Sequence, residues 1–268
     1  MRLVRTLCRT LRRLAVAPAL AAIVLLAGLQ AGPPAWAQAT SSPAADSFSA
    51  AQRQEIIAII REALRSDASL LRDAIAALQE DEARQKSGAT RGTIAELGQA
   101  LTRTPGDPVA GNPNGDVTVV EFYDVRCPYC RRMVPVIAEL IRRDPGVRVV
   151  YKDFPILGPA STLAARALLA AHKQGGYLKL HAALMTGSPS LDQDALRGVA
   201  GRIGLDWDRL QRDMGDPDIM GRINANLALG RRLDLQGTPA YVIGENVLPG
   251  AVDLSDLMAA VAAARGAR

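Results

Sequence analysis

Apolar residues recur along this chain in three rhythms, and each marks a different kind of segment. From Leu14 to Leu29 they run almost unbroken behind Arg2, Arg5, Arg9, Arg12 and Arg13, then give way to Gly32-Pro33-Pro34 and Ala35-x-Ala37. A basic start, a short apolar run and small residues before a break form the pattern of an export signal. Residues 1–37 therefore read as a signal peptide cut after Ala37. Residues 38–47, rich in Ala, Ser, Thr and Pro, read as a flexible leader.

The second rhythm is helical. Ser49-Ala-Ala-Gln52 fits a capping box, and Ile56, Ile59, Ile60, Ala63 and Leu64 follow at the spacing of one helix face. Ser66-Asp67 restarts the pattern with Leu71, Ile75 and Leu78. Thr93-x-x-Glu96 with Ile94, Leu97 and Leu101 predicts a third, shorter helix. Such faces are not stable alone, so residues 48–104 are expected to dock on the rest of the chain or on further copies of themselves.

Turn residues crowd Thr104–Pro108 and Gly111–Gly115, which places a domain boundary there, with a second domain at 105–268. The third rhythm follows. Val117 to Tyr123 is a buried-strand run, Met133 to Arg143 a helix and Val147 to Tyr151 a strand, which makes a right-handed parallel crossover unit. About 158–232 is a helical insertion, with runs at Ala164–Lys173, Tyr177–Met185, Asp192–Ile203 and Asp218–Leu229. Strand character returns at Ala240–Ile243 and Val247–Leu248 around a turn at Gly244–Asn246, and Asp253 to about Ala264 closes the chain as a helix. The predicted class is α/β: a thioredoxin-like order with a helical insertion, preceded by an N-terminal helical segment.

Charge removes one class of function. The chain holds 32 basic and 27 acidic residues, but five of the arginines and none of the acids lie in the signal, so the remainder carries 27 of each. The basic excess of the precursor therefore gives no ground for nucleic-acid binding. The cysteine count is more informative. Cys8 leaves with the signal, and only Cys127 and Cys130 remain, in one C-x-x-C. A ring that small closes little loop entropy and stabilises little, so the pair is better explained by reactivity than by architecture.

Disulfide exchange requires an exposed sulfur that ionises readily, and a helix N-terminus favours the thiolate. Cys127 directly follows a strand, Pro128 suits a first helical turn, and Arg126 and Arg131 add positive charge. Cys130, one turn further in, is placed to resolve a mixed disulfide on Cys127. A zinc site is the competing reading, but His172 and His181 are the sole histidines available to complete it. No metal or other cofactor is expected beyond the redox-active cysteine pair. Pro239, in Gly237-Thr238-Pro239-Ala240, is either an edge-strand proline or a cis-proline beside Cys127.

Glu121 through Arg132, Phe154-Pro-Ile-Leu-Gly158 and Gly237-Thr-Pro239 together resemble the DsbA-like thioredoxin superfamily of disulfide oxidoreductases. The resemblance implies a nucleophilic Cys127, a resolving Cys130, and a cis Pro239 preceded by Thr238. It also implies a helix-kinking Pro135 and an acid, Glu121, that moves protons near the buried cysteine. By the same resemblance Pro128 and Tyr129, between the cysteines, are expected to tune the redox chemistry, and they depart from the Pro-His of the strongly oxidising DsbA. Residues Phe48 to Leu78 resemble the N-terminal domain of the copper-sensitivity suppressor (ScsC) branch, which implies a homo-oligomer built through residues 48–103. Thr238 is closer to isomerases than to DsbA. The expected activity is therefore isomerase or reductase exchange on exported cysteine-containing proteins in the periplasm. Its redox partner would be a membrane protein, either a DsbB-like oxidant or a DsbD-like reductant. A DsbA-type oxidase and a dithiol that handles Cu(I) are the alternatives.

Overall fold

The computed structural model describes residues 48–187 and 190–267. The signal peptide, its cleavage site, Cys8 and the 38–47 leader lie outside them. The described residues divide into two compact units, one ending at Asp67 and one starting at Ala68.

The first unit holds α1 (Ala50–Ser66). Its capping box forms as the sequence predicts: Ser49 Oγ accepts from the Gln52 amide at 3.3 Å, and Gln52 Oε1 accepts from the Ser49 amide at 2.8 Å. Two of the donors left unpaired at a helix start are thereby satisfied. Ile56, Ile57, Ile59, Ile60 and Leu64 are all exposed.

The second unit begins with α2 (Ala68–Thr102) and continues through β1 (Val109–Gly111), β2 (Val117–Tyr123), α3 (Pro128–Arg143) and β3 (Val147–Asp153). Then come α4 (Pro159–His172), α5 (Tyr177–Thr186), α6 (Gln193–Arg202), α7 (Trp207–Met214) and α8 (Pro217–Arg232). The chain ends in β4 (Ala240–Ile243), β5 (Asn246–Pro249) and α9 (Leu254–Gly266). The strands form one sheet in the order β1-β3-β2-β4-β5. β2 and β3 are parallel, joined by α3, and the other pairs are antiparallel. Gly244, at positive φ, turns β4 into β5 where a side chain would meet Ala264.

Both faces of the sheet are covered, which is why β2 and β3 read as near-continuous apolar runs. Val117, Val119 and Tyr123 pack with α3, α9 and the insertion helices. Val120 and Phe122 face the other way, onto Ile94, Leu97 and Leu101 of α2 and Leu229 of α8. Each such fully buried aliphatic side chain stabilises the fold by roughly 1.5–3 kcal/mol.

Four expectations change. The predicted second and third helices are one 35-residue α2 that runs through Gly88 and Gly92. Thr93 Oγ1 donates back to the Ala89 carbonyl instead of capping, and the packing of Ile94, Leu97 and Leu101 outweighs the roughly 1 kcal/mol each glycine costs a helix. The compact unit starts at Ala68, so residues 68–104, grouped by sequence with the N-terminal segment, supply one face of the core. The turn-rich stretch hides β1, which adds a short antiparallel edge to β3. The insertion contains α7, whose eight residues were too few to stand out.

Two cations fasten the end of α2. Lys152 Nζ donates to the Ala100 carbonyl at 2.8 Å and to Asp107 Oδ2 at 2.6 Å, and Arg148 Nη1 donates to the Thr102 carbonyl at 2.7 Å. The last carbonyls of a helix lack partners and carry its negative end, so cations there suit both needs. Burial pushes Lys152 down and Asp107 up, each against the pull of the other. The pair is better understood as a positioned clamp than as a large source of stability.

Candidate active site

The C-terminal end of β2 runs directly into the site. Cys127 is the N-cap of α3, with extended backbone angles and its amide donating to the Asp124 carbonyl at 3.0 Å. Pro128 stands at the first helical position, where a missing N–H costs nothing. α3 therefore starts at the cysteines and not at Met133. Pro135 lies inside it, withholding a bond from the Arg131 carbonyl.

Cys127 and Cys130 are both free thiols. Cys127 keeps 5% of its surface exposed and Cys130 none. Cys127 Sγ donates to the Thr238 carbonyl at 3.2 Å, across 111 residues of sequence. The Thr238–Pro239 peptide is cis, immediately before β4. Burial is the main cause that pushes the Cys130 thiol well up.

Glu121 sits mid-strand on β2, paired in register with Tyr151 on β3 and Tyr241 on β4. Its carboxyl is fully buried and accepts one bond from Tyr241 Oη at 3.2 Å. Burial, only partly offset by that bond, lifts it to about 8. It is thus a protonated acid at neutral pH that can release and regain a proton near the buried thiol. Tyr129 is 54% exposed between the cysteines, and the Arg132 guanidinium lies 4.6 Å above its ring.

Sequence reasoning missed the buried polar groups that hold this geometry. Asp124 Oδ1 accepts from the Arg126 amide at 2.8 Å, and Oδ2 accepts from the Ile156 and Leu157 amides at 2.9 and 3.0 Å. One carboxylate therefore ties the turn before Cys127 to the loop after β3. An Asp two residues before a turn amide was the available signal. Asp153 is likewise buried, accepting from Tyr123 Oη at 2.8 Å and Tyr177 Oη at 3.0 Å, and burial raises it to about 7. His181 packs among Tyr123, Tyr151 and Tyr177, and burial lowers it to about 4. His172 packs edge-on against Tyr177. Among the described residues no group of three or more His, Cys, Asp and Glu side chains is arranged to hold a metal. Nor is any helix there long and apolar enough to cross a membrane.

A cysteine pair at the head of a helix, beside a cis-proline loop at the same end of a thioredoxin-type sheet, defines the class. The family model for the DSBA-like thioredoxin domain matches residues 118–262, and the chain belongs to that family. It is similar to a thioredoxin-like oxidoreductase from Silicibacter pomeroyi DSS-3 at 45% identity and a TM-score of 0.62, over 63% of this chain and 98% of that one. It is also similar to Proteus mirabilis ScsC at 31% identity and a TM-score of 0.60, over 83% of this chain and 99% of that one. Among curated relatives it is 32% identical over 160 residues to the Na(+)/H(+) antiporter NhaA 3 of Salinispora tropica. That match takes in 59% of this chain and 24% of the antiporter's length.

The buried acid gives a prediction with a definite sign. In the unfolded chain Glu121 titrates near 4.3, and in the folded chain near 8. Its contribution to stability is fully present below the unfolded value and is lost as pH rises through the folded one. Between pH 5 and 8 the parent should lose on the order of a few kcal/mol more unfolding free energy than Glu121→Gln. Urea unfolding of both reduced proteins at the two pH values measures it. Parallel losses would mean that Glu121 is not held protonated.

Proposed function

We propose that this protein is a periplasmic thiol–disulfide oxidoreductase acting on exported cysteine-containing proteins, with isomerase or reductase action favoured over net oxidation. The observation that carries this reading is the placement of Cys127 Sγ at the start of α3, 3.2 Å from the Thr238 carbonyl and one helical turn before buried Cys130. A partner chain lying along the Thr238–Pro239 loop would bring its own sulfur to Cys127.

The steps follow from the geometry. The Cys127 thiolate attacks one sulfur of a partner disulfide, forming a mixed disulfide and releasing the partner's other sulfur as a thiolate that takes up a proton. In isomerisation that thiolate, or another from the same partner, later attacks the mixed disulfide and frees Cys127. In reduction Glu121 first releases its proton to solvent and then accepts the proton of Cys130, whose thiolate attacks Cys127, closing the Cys127–Cys130 bond and releasing the partner's second sulfur as a thiolate that takes up a proton. The raised Cys130 thiol makes this second attack dependent on the buried acid. The cysteine pair is the whole redox cofactor. Run in reverse, the same steps oxidise a partner, so direction is set by which membrane protein resets the pair: a DsbD-like reductant for the favoured reading, a DsbB-like oxidant for the other.

Residues 48–103 supply the second half of the reading. The exposed isoleucines of α1, and Leu70, Leu71, Ile75 and Leu78 on α2, are apolar surface that water disfavours, and copies of the chain can cover it. Several active sites held around one misfolded partner suit isomerisation.

Two experiments test these halves. Cys130→Ala should trap partners on Cys127 as mixed disulfides visible on non-reducing gels, and Cys127→Ala should trap none. Failure of Cys130→Ala to trap any exported protein would count against the exchange reading. For assembly, light scattering should report a multiple of the chain mass for the parent and the single-chain mass for the Ile57→Asp/Ile60→Asp double variant. A parent that is already a single chain would refute it.

A further inference from the structure

The entrance to Cys127 carries positive charge that can act on an approaching partner as well as on the thiolate. Arg126, Arg131 and Arg132 stand within seven residues around the cysteines, on a chain with 27 basic and 27 acidic residues beyond the expected signal. Two of the three are exposed and held in place. Arg126 donates through Nη1 to the Leu157 carbonyl at 2.5 Å, and Arg132 lies over the Tyr129 ring at 4.6 Å. Neither forms an ion pair with a carboxylate among the described residues. The nearest acids in sequence, Glu121 and Asp124, are buried, and the Asp124 oxygens are taken up by three backbone amides. Arg126 and Arg131 also line a cavity of about 560 Å³ with Pro159, Ala160, Ser190 and Leu191.

We propose that Arg126 and Arg132 flank Cys127 as a selectivity filter for negatively charged partners, favouring disulfides whose cysteines lie next to Asp or Glu. This rests on the reading of Cys127 as the attacking sulfur. Both the approaching partner and the thiolate are anionic in that case, so cations at the rim offset their repulsion as the two sulfurs meet. Hydrogen bonding to the Leu157 carbonyl leaves the Arg126 charge intact, and the Tyr129 face leaves the edge donors of Arg132 free for a carboxylate. The rim is open to solvent, so its pull reaches about 10 Å at 0.1 M salt and about 3 Å at 1 M.

The test compares three small disulfides of similar length reacting with the reduced full chain. They are 3,3′-dithiodipropionate (anionic), bis(2-hydroxyethyl) disulfide (neutral) and cystamine (cationic). Each rate is normalised to the same disulfide reacting with a neutral small thiol. At low salt the normalised anionic rate should exceed the cationic one by about tenfold or more, within the range that charge steering gives, and the ratio should fall several-fold at 1 M salt. The Arg126→Gln/Arg132→Gln double variant should bring the ratio close to one, and Arg132→Gln alone, which leaves the Leu157 contact intact, should fall between. Because the ratio is internal to each protein, a general loss of reactivity cancels. A ratio near one in the parent, or an unchanged ratio in the double variant, would overturn the filter while leaving the exchange reading in place. No reaction of Cys127 with any of the three would overturn both.

Discussion

The site depends on the register of one strand between two neighbours. β2 pairs with β3 so that Glu121 stands opposite Tyr151, and with β4 so that Glu121 stands opposite Tyr241 and Phe122 opposite Ala240. Cys127 follows the end of β2 and Thr238–Pro239 precedes the start of β4, which the antiparallel register puts at the same end of the pair, so residues 111 apart in sequence are brought into contact. A slip by one residue would turn Glu121 out of one core and Phe122 out of the other, since side chains alternate across a sheet. The apolar packing on both faces therefore sets the distance between Cys127 Sγ and the Thr238–Pro239 loop.

Two buried acids are held within this frame by different means. Glu121 has a single hydrogen-bond donor, Tyr241, so burial dominates and the carboxyl stays protonated to about 8. Asp153 has two tyrosine donors and is still raised to about 7. Glu121 shares its surroundings with Cys130, whose thiol is raised by the same burial. An acid and a thiol that each resist ionisation can exchange one proton without leaving a second charge in the core. Under the proposed reading, this matching would keep Cys130 unreactive until Cys127 has been engaged.

The chemistry was more legible in the sequence than the scaffolding around it. The C-x-x-C pair, the strand leading into Cys127 and the Pro128 start of a helix were visible because each is a local pattern. Pro239 was visible as a proline, but its approach to Cys127 depends on the β2–β4 register, which no local window contains. The merging of two expected helices into α2 was hidden for the same reason: Gly88 and Gly92 are weak helix formers, and what carries the helix through them is contact of Ile94, Leu97 and Leu101 with the sheet. Asp124 and Asp153 looked like ordinary polar residues, since, apart from the Arg126 amide beside Asp124, their side-chain partners come from segments 24 to 33 residues away.

The most direct test of the central claim is to mix the reduced full chain with scrambled ribonuclease and follow two quantities together: recovery of ribonuclease activity and the fraction of chains that have closed the Cys127–Cys130 bond. Exchange through Cys127 with isomerase action predicts activity returning with the parent and not with Cys127→Ser, and few parent chains oxidised at the end. Closure of the cysteine pair without recovered activity would support a reductase in place of an isomerase. No recovery and no closure in the parent would contradict a role in protein disulfide exchange.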